Sequence, residues 1–281
     1  MNKKQSVREL LTRGTFYLHQ KQINQPRSQV ELLLAHFLQI SPSELYLQED
    51  LSFTEQELIP FKKMLLRKGR GEPWQYIVGK VHFLECSLEL NHNVLIPRQE
   101  TEIFIHQILS ELPSFPLNIW DIGTGSGCMG IAIKKRRPDC HLSLSDISIN
   151  ALDVAKENVK FNDVEVEIVE GDLLYPFTGR KAHVILCNPP YISQGEFDLL
   201  DKEVRDWEPH IALYGGATGR EFYGRLASQL HLYLHDQGVV YFEIGKRMGS
   251  AVANLFSVPF WKTKVILKDW AGHDRYLCLR S

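Results

Sequence analysis

The chain has 281 residues, 44% hydrophobic and 23% charged, the balance of a globular protein with a sizeable core rather than a disordered or fibrous one. A net charge of −2 gives no global basic field for nucleic acid. Five scattered cysteines (Cys86, Cys128, Cys140, Cys187, Cys278), with no CxxC pair and no Cys/His ligand spacing, argue against a zinc motif and a disulfide framework and for reduced thiols in the cytoplasm.

The start, MNKKQSVRELLTRG, has no apolar run behind its lysines and does not read as a signal peptide. No stretch approaches the eighteen or so uninterrupted apolar residues that a membrane span needs. Residues 1–70 read as a small helical bundle. Ser6 and Glu9 form a capping box before Val7, Leu10 and Leu11; RSQVELLLAHFLQI is a second helix; Ser41-Pro42-Ser43-Glu44 and Thr54…Glu57 open two more. The bundle holds no catalytic constellation. It reads as a partner-docking module, with a folding cap as the alternative.

Gly69, Gly71 and Pro73 break the helical pattern, and residues 71–96, with WQYIVGKVHFLECSLEL, read as a β-hairpin linker. Residues 97–281 alternate strand and helix. LNIWDIG, HLSLSDIS, VEVEIVEGD, AHVILCN and GVVYFEIG are strands; CMGIAIKKR, NALDVAKENVKFN and GREFYGRLASQLHLYLHD are helices; WKTKVILKDWAGHDRYLCLR is a closing pair of strands around Gly272. The fold class is therefore α/β, a mostly parallel doubly wound sheet with an antiparallel C-terminal strand. Such sheets bind ligands beyond the carboxyl ends of their strands, where the strand order reverses. The basic run Lys134–Pro138 reads as a solvated helix end.

Four strand ends carry unusual residues. In DIGTGSGCMG, Gly123, Gly125 and Gly127, with Thr124 and Ser126 between them, allow a tight turn and close approach of a ligand. Gly125 to Gly130 also spells GxGxxG, a weak dinucleotide signal. Asp121 would oppose a pyrophosphate there, whereas it suits the ammonium and sulfonium of S-adenosyl-L-methionine. Asp146 ends the next strand, where a carboxylate can accept both hydroxyls of a ribose or cap the next helix. Asp172 and Leu173 follow the third strand and could meet an adenine amino group and ring. The fourth strand, VILC, stops at Asn188-Pro189-Pro190-Tyr191. The prolines cannot extend a ladder. They hold the Asn188 side-chain oxygen and the Pro189 carbonyl rigid, as two acceptors for a planar –NH₂ group on which Tyr191 can stack.

With these motifs the sequence resembles the release-factor glutamine methyltransferases (the HemK/PrmC type) among class I S-adenosylmethionine-dependent methyltransferases. The resemblance runs through GEPWQYIVGKVHF, LIPRQETE, DIGTGSGC, SDISINALDVAKEN, CNPPYI, WEPHIALYGGATG, FEIG and DWAGHDRYL. Gln99 departs from it, standing where the family usually has proline. The resemblance implies a Rossmann-like methyltransferase domain behind a small N-terminal domain. It implies methyl transfer to the glutamine N5 of the Gly-Gly-Gln motif in class-1 peptide chain release factors. It also implies a monomer that uses no metal and binds neither nucleic acid nor membrane. Catalysis and substrate contact fall to Asn188, Pro189, Pro190 and Tyr191. Cofactor contacts fall to Asp121, Gly123–Gly127, Asp146, Asp172, Leu173 and Asn188. Adenine-N6 nucleic-acid methylation, ribosomal-protein glutamine methylation and a non-catalytic nucleotide sensor are the alternatives.

Overall fold

The computed structural model describes residues 4–281. The chain divides into two compact units, Met1–Gly79 with Asp201–Trp207, and Lys80–Leu200 with Glu208–Ser281.

In the first unit, β1 (Gln5–Ser6) leads into α1 (Val7–Gln20), followed by α2 (Pro26–Leu38), β2 (Ser52–Phe53), α3 (Ile59–Lys68) and α4 (Trp74–Val78); β1 and β2 pair antiparallel. The expected capping boxes form. The Glu9 N–H donates to Ser6 Oγ at 3.2 Å and the Ser6 N–H to Glu9 Oε2 at 2.9 Å. Thr54 and Glu57 repeat the exchange at 3.4 and 2.7 Å. Ser41, by contrast, opens only a short 3₁₀ turn, Glu44–Leu47. Val7, Leu10, Leu11, Val30, Leu33, Leu34 and Phe61 form the core.

Trp74–Val78, read from the sequence as strand, is a helix. Pro73 presets its entry and Gly79, at φ 77°, ends it. Arg67 donates to the carbonyls of Tyr76 and Ile77 at 3.2 and 3.3 Å, supplying partners that a short helix end lacks. The Asp201–Trp207 segment joins this unit, where Lys68 Nζ, fully buried, meets Glu203 Oε1 at 2.5 Å.

The second unit begins with the hairpin β3 (Lys80–Phe83) and β4 (Cys86–Glu89). It continues through α5 (Gln99–Glu111), β5 (Asn118–Ile122), α6 (Cys128–Arg136), β6 (His141–Asp146), α7 (Ile149–Phe161), β7 (Glu167–Glu170) and β8 (Ala182–Cys187). Three helical turns follow, α8 (Gln194–Phe197), α9 (Lys202–Arg205, in the first unit) and α10 (His210–Leu213). The chain closes with α11 (Glu221–Ala227), β9 (Leu234–Glu243), α12 (Gly249–Ala253), β10 (Thr263–Lys268) and β11 (Asp274–Arg280).

Among the described residues the main sheet has seven strands in the order β10-β11-β9-β8-β5-β6-β7. The five inner-to-edge strands from β9 to β7 are parallel, and β11 and β10 run antiparallel. Strand order therefore reverses between β5 and β8, where Asp121 pairs with Leu186 and Ile122 with Cys187. The sheet is buried on both faces, so β5 sends Ile119 into one core and Trp120 and Ile122 into the other.

The hairpin read as a linker packs on this unit. Asn158 of α7 accepts from the Glu89 N–H at 2.6 Å, and Asn162 from the Ser87 N–H at 3.3 Å. The predicted long helix at 219–236 is also shorter. α11 ends at Ala227, Leu230–Tyr233 forms a 3₁₀ turn, and β9 starts at Leu234, which pairs with Ala182. The basic run at the end of α6 is occupied throughout: Lys134 caps the Pro138 and Cys140 carbonyls, Lys135 meets Asn162, Arg136 pairs with Glu85 and Arg137 with Asp139.

Removing Glu203 would leave the Lys68 ammonium buried without its carboxylate. Glu203→Ala is expected to cost about 2 kcal/mol in urea unfolding, less than a fully buried pair because Glu203 is itself partly open to water. A loss within about 0.5 kcal/mol, typical of surface positions, would show that Lys68 has no need of this partner.

Candidate active site

A cavity of about 270 Å³ opens at the carboxyl ends of β5, β6 and β8, where strand order reverses. Gly123, Thr124, Gly125, Ser126, Asp146, Asp172, Leu173, Asn188, Pro189 and Pro190 all line it, so most of the predicted residues meet in one place.

The glycine loop is built as its sequence requires. Gly123, Gly125 and Gly127 have φ of 68°, 55° and 82°, a left-handed region that L side chains rarely adopt. A Cβ at Gly123 or Gly125 would meet nothing within 4 Å, so both backbones face open space. Gly130 serves packing instead, since a Cβ there would lie 2.3 Å from Leu144.

Asp121 stands one layer behind the loop, fully buried. Its Oδ2 accepts from Thr124 Oγ1 at 2.7 Å and from the Gly130 N–H at 3.0 Å, fixing the loop to the first turn of α6. Its Oδ1 is buried with no partner. Burial raises its pKa from 3.8 to about 6, against the pull of those two hydrogen bonds. Asp121 itself does not line the cavity; it sits behind the loop with Oδ1 unpartnered.

Asp146 accepts from the Gly125 N–H and the Ser148 N–H, each at 2.9 Å. Ser148, not Asp146, caps α7, accepting from the Ala151 N–H at 3.2 Å. Both Asp146 oxygens keep lone pairs for a diol, and burial raises its pKa too. Asp172 forms an ion pair with Arg225 of α11 that engages one oxygen, Oδ2. Leu173, at φ 49°, turns back onto the core beside it.

Strand β8 ends at Cys187. Among the described residues the Asn188 side-chain amide has no hydrogen-bond partner, and the Pro189 carbonyl accepts no backbone hydrogen bond. Tyr191, like Asp121 and Gly127, is not among the cavity-lining residues; its hydroxyl lies 3.5 Å from Glu243 Oε1. Burial raises the pKa of both Tyr191 and Glu243.

Several supporting residues went unassigned in the sequence. Asn158, fully buried, donates to the Ser126 carbonyl at 2.9 Å and holds the loop from behind. Its signal was a polar residue in register with Ala151 and Ala155 on the buried stripe of α7. Glu208 grips the cavity wall through Arg98 at 2.5 Å and the Ile96 N–H at 3.2 Å. Thr101, in the segment holding Gln99, lines the cavity and donates to Glu243 Oε2 at 2.7 Å. Glu208 and Glu243 lie within WEPH and FEIG, but their roles depend on partners 52 to 142 residues away, which no local spacing reveals.

Strand order, glycine loop and strand-end carboxylates define a methyltransferase of the Rossmann-like kind. A solved methyltransferase from Pyrococcus furiosus shares the fold, with a TM-score of 0.54 over 70% of this chain and 89% of that one at 16% identity. The methyltransferase small domain family model matches residues 99–204, and the PrmC N-terminal domain model residues 9–79. The release factor glutamine methyltransferase of Chlamydia trachomatis serovar L2 is 41% identical over 98% of this chain and 94% of its own length. That of Bacillus subtilis is 38% identical over 88% and 89%. The chain belongs to the release factor glutamine methyltransferase family.

Two outcomes follow from the carboxylates. A buried acid with a raised pKa favours the protonated folded state, so its contribution to stability is lost as pH rises from 3.8 through about 6. Asp121→Asn removes that titration. Its stability relative to the parent is expected to improve with pH between about 4 and 7, reaching about 1–2 kcal/mol once the unpaired amide is allowed for. A gap that stays constant with pH, read by thermal melts without ligand, would contradict the burial account. Asp146→Ala is expected to weaken S-adenosylmethionine binding at least tenfold, because the cavity loses its acceptor for a diol; calorimetric affinity within twofold of the parent, with the fold intact, would remove Asp146 from the site.

Proposed function

We propose that the protein methylates the side-chain amide nitrogen, N5, of the glutamine in the Gly-Gly-Gln motif of class-1 peptide chain release factors, using S-adenosyl-L-methionine. The observation that carries this reading is the pair of unpartnered acceptors, Asn188 Oδ1 and the Pro189 carbonyl, on a proline-locked strand end beside a nucleoside-sized cavity. The relatives, themselves release factor glutamine methyltransferases, support the same substrate.

The residues present fit the cofactor. Asp146 would take the ribose hydroxyls, and Asp172 with Leu173 the adenine. Gly123 and Gly125 would leave room for the cationic end, with Asp121 behind the loop. When bound, this cofactor supplies a methyl group on a sulfonium, already a good leaving group.

The chain's task is then orientation. An amide nitrogen is a poor nucleophile, because its lone pair is delocalised into the carbonyl. Two acceptors that hold both N–H hydrogens fix the plane of the amide and turn the nitrogen lone pair out of it, toward the methyl group. Orientation of this kind can supply roughly 7–11 kcal/mol of barrier reduction in favourable cases. The same oxygens stabilise positive charge growing on the nitrogen. The proton leaves to water. The helical unit, which contributes no cavity residue, serves to dock the protein substrate.

Asn188→Ala removes one acceptor and is expected to slow single-turnover transfer by about a hundred- to thousandfold at saturating cofactor and release factor. The modified residue is read by mass spectrometry of the release factor, with ribosomal protein and DNA as parallel substrates. A rate within fivefold of the parent would overturn the orientation mechanism. Methyl transfer to adenine and not to the release factor would overturn the substrate.

A further inference from the structure

We infer that Glu243 is a positioning residue for methyl transfer, clamping the Asn188-Pro189-Pro190-Tyr191 segment and helix α5 to the end of β9. The inference rests on the amide-transfer reading above and adds to it the group that keeps the two acceptors in place.

Glu243 is the last residue of β9 and is buried. Its two oxygens serve different parts of the site. Oε2 accepts from Thr101 Oγ1 at 2.7 Å, and Thr101 lines the cavity from α5. Oε1 faces the Tyr191 hydroxyl at 3.5 Å, at the outer limit of a hydrogen bond, three residues along from Asn188. The backbone at this point is held separately. The Glu243 carbonyl accepts from the Tyr223 hydroxyl at 2.7 Å, and Tyr276 of β11 pairs opposite. The sheet therefore does not need the carboxylate.

A carboxylate at a buried strand end is costly, and a leucine-sized apolar group would satisfy the sheet at less cost. Of the two cations that act on Glu243, Arg98 pairs with Glu208 at 2.5 Å, and Arg275 pairs with Asp269 at 3.2 Å and also meets the Tyr191 side chain. What Glu243 does is receive two hydroxyls from separate segments, one from α5 and one from the end of the Asn188–Tyr191 segment. The prolines stiffen the segment internally, but they make no bond to the sheet. The Tyr191 side chain, held by Glu243 and Arg275, and the backbone exchange at Ile192, whose N–H donates to the Leu213 carbonyl at 3.0 Å and whose carbonyl accepts from the Gly215 N–H at 2.8 Å, fix where the stiff piece sits. A shift of this piece by a fraction of an ångström would misalign both acceptors, and small misplacements are expensive in an orientation mechanism.

Three variants separate positioning from the alternatives. Glu243→Leu keeps the size and removes both acceptors. Glu243→Gln keeps a hydrogen-bonding end of the same shape. Tyr191→Phe cuts only one of the two links and guards against a Leu variant that fails to fold. Glu243→Leu is expected to slow single-turnover transfer at least tenfold, with cofactor affinity within twofold of the parent. Glu243→Gln is expected to stay within about threefold, and Tyr191→Phe to fall between the two. Hydrogen exchange of the Ile192 amide, which donates to the Leu213 carbonyl, gives a readout in the ligand-free protein that needs no substrate. It should quicken at least tenfold in Glu243→Leu and Tyr191→Phe while the β5 and β8 amides stay unchanged. Unchanged exchange in Tyr191→Phe and Glu243→Leu would overturn the inference whatever the substrate. Equal slowing by Gln and Leu would also overturn it, since that pattern belongs to a proton acceptor. If the parent protein leaves the release factor unmethylated while exchange behaves as expected, the substrate reading fails and the clamp stands.

Discussion

Strand β8 cannot continue past Cys187, because two consecutive prolines deny the ladder two N–H donors and fix the backbone. The strand next to it, β5, ends at the same level and turns away through three left-handed glycines. The reversal of strand order puts these two endings side by side. One supplies backbone that a ligand can approach closely. The other supplies oxygens that no part of the protein occupies. Every other feature of the site follows from that juxtaposition: Asp121 and Asn158 stiffen the glycine side, and Glu243 and the prolines stiffen the other.

The site also explains why so many acids are buried in one region. Asp121, Asp146 and Glu243 all have pKa values raised by burial. Each disfavours the folded state without ligand at neutral pH. A stability-optimised sheet of this order would carry neutral groups there. Acids are retained where a bound cation, a diol or a pair of hydroxyls gives them partners.

Much of this was legible in the sequence because it is local. The turn chemistry of Gly123 to Gly127 and the strand-breaking prolines are properties of adjacent residues, and alternation of strand and helix gave the parallel sheet. Capping boxes at Ser6 and Thr54 formed as written. What failed was short or tertiary. Trp74–Val78 has strand-forming residues, but Pro73, Gly79 and the distant Arg67 make it a helix. The apolar run through Leu230 and Leu234 reads as helix, but Leu230–Tyr233 is a 3₁₀ turn and pairing with β8 begins the strand at Leu234. Asn188, Pro189 and Tyr191 are adjacent in the sequence, but the Tyr191 contact with Glu243 depends on how β9 ends, which no spacing reveals. The Asp172 to Arg225 ion pair is likewise invisible before the fold brings α11 to the cavity.

The most direct test of the account is the geometry of the acceptor amide itself. A crystal structure with a Gly-Gly-Gln peptide and the demethylated cofactor product should place the glutamine nitrogen within about 2.7–3.2 Å of both Asn188 Oδ1 and the Pro189 carbonyl oxygen, with its third face toward the cofactor sulfur. A glutamine amide held by other groups, or turned so that its carbonyl rather than its nitrogen meets Asn188, would contradict it.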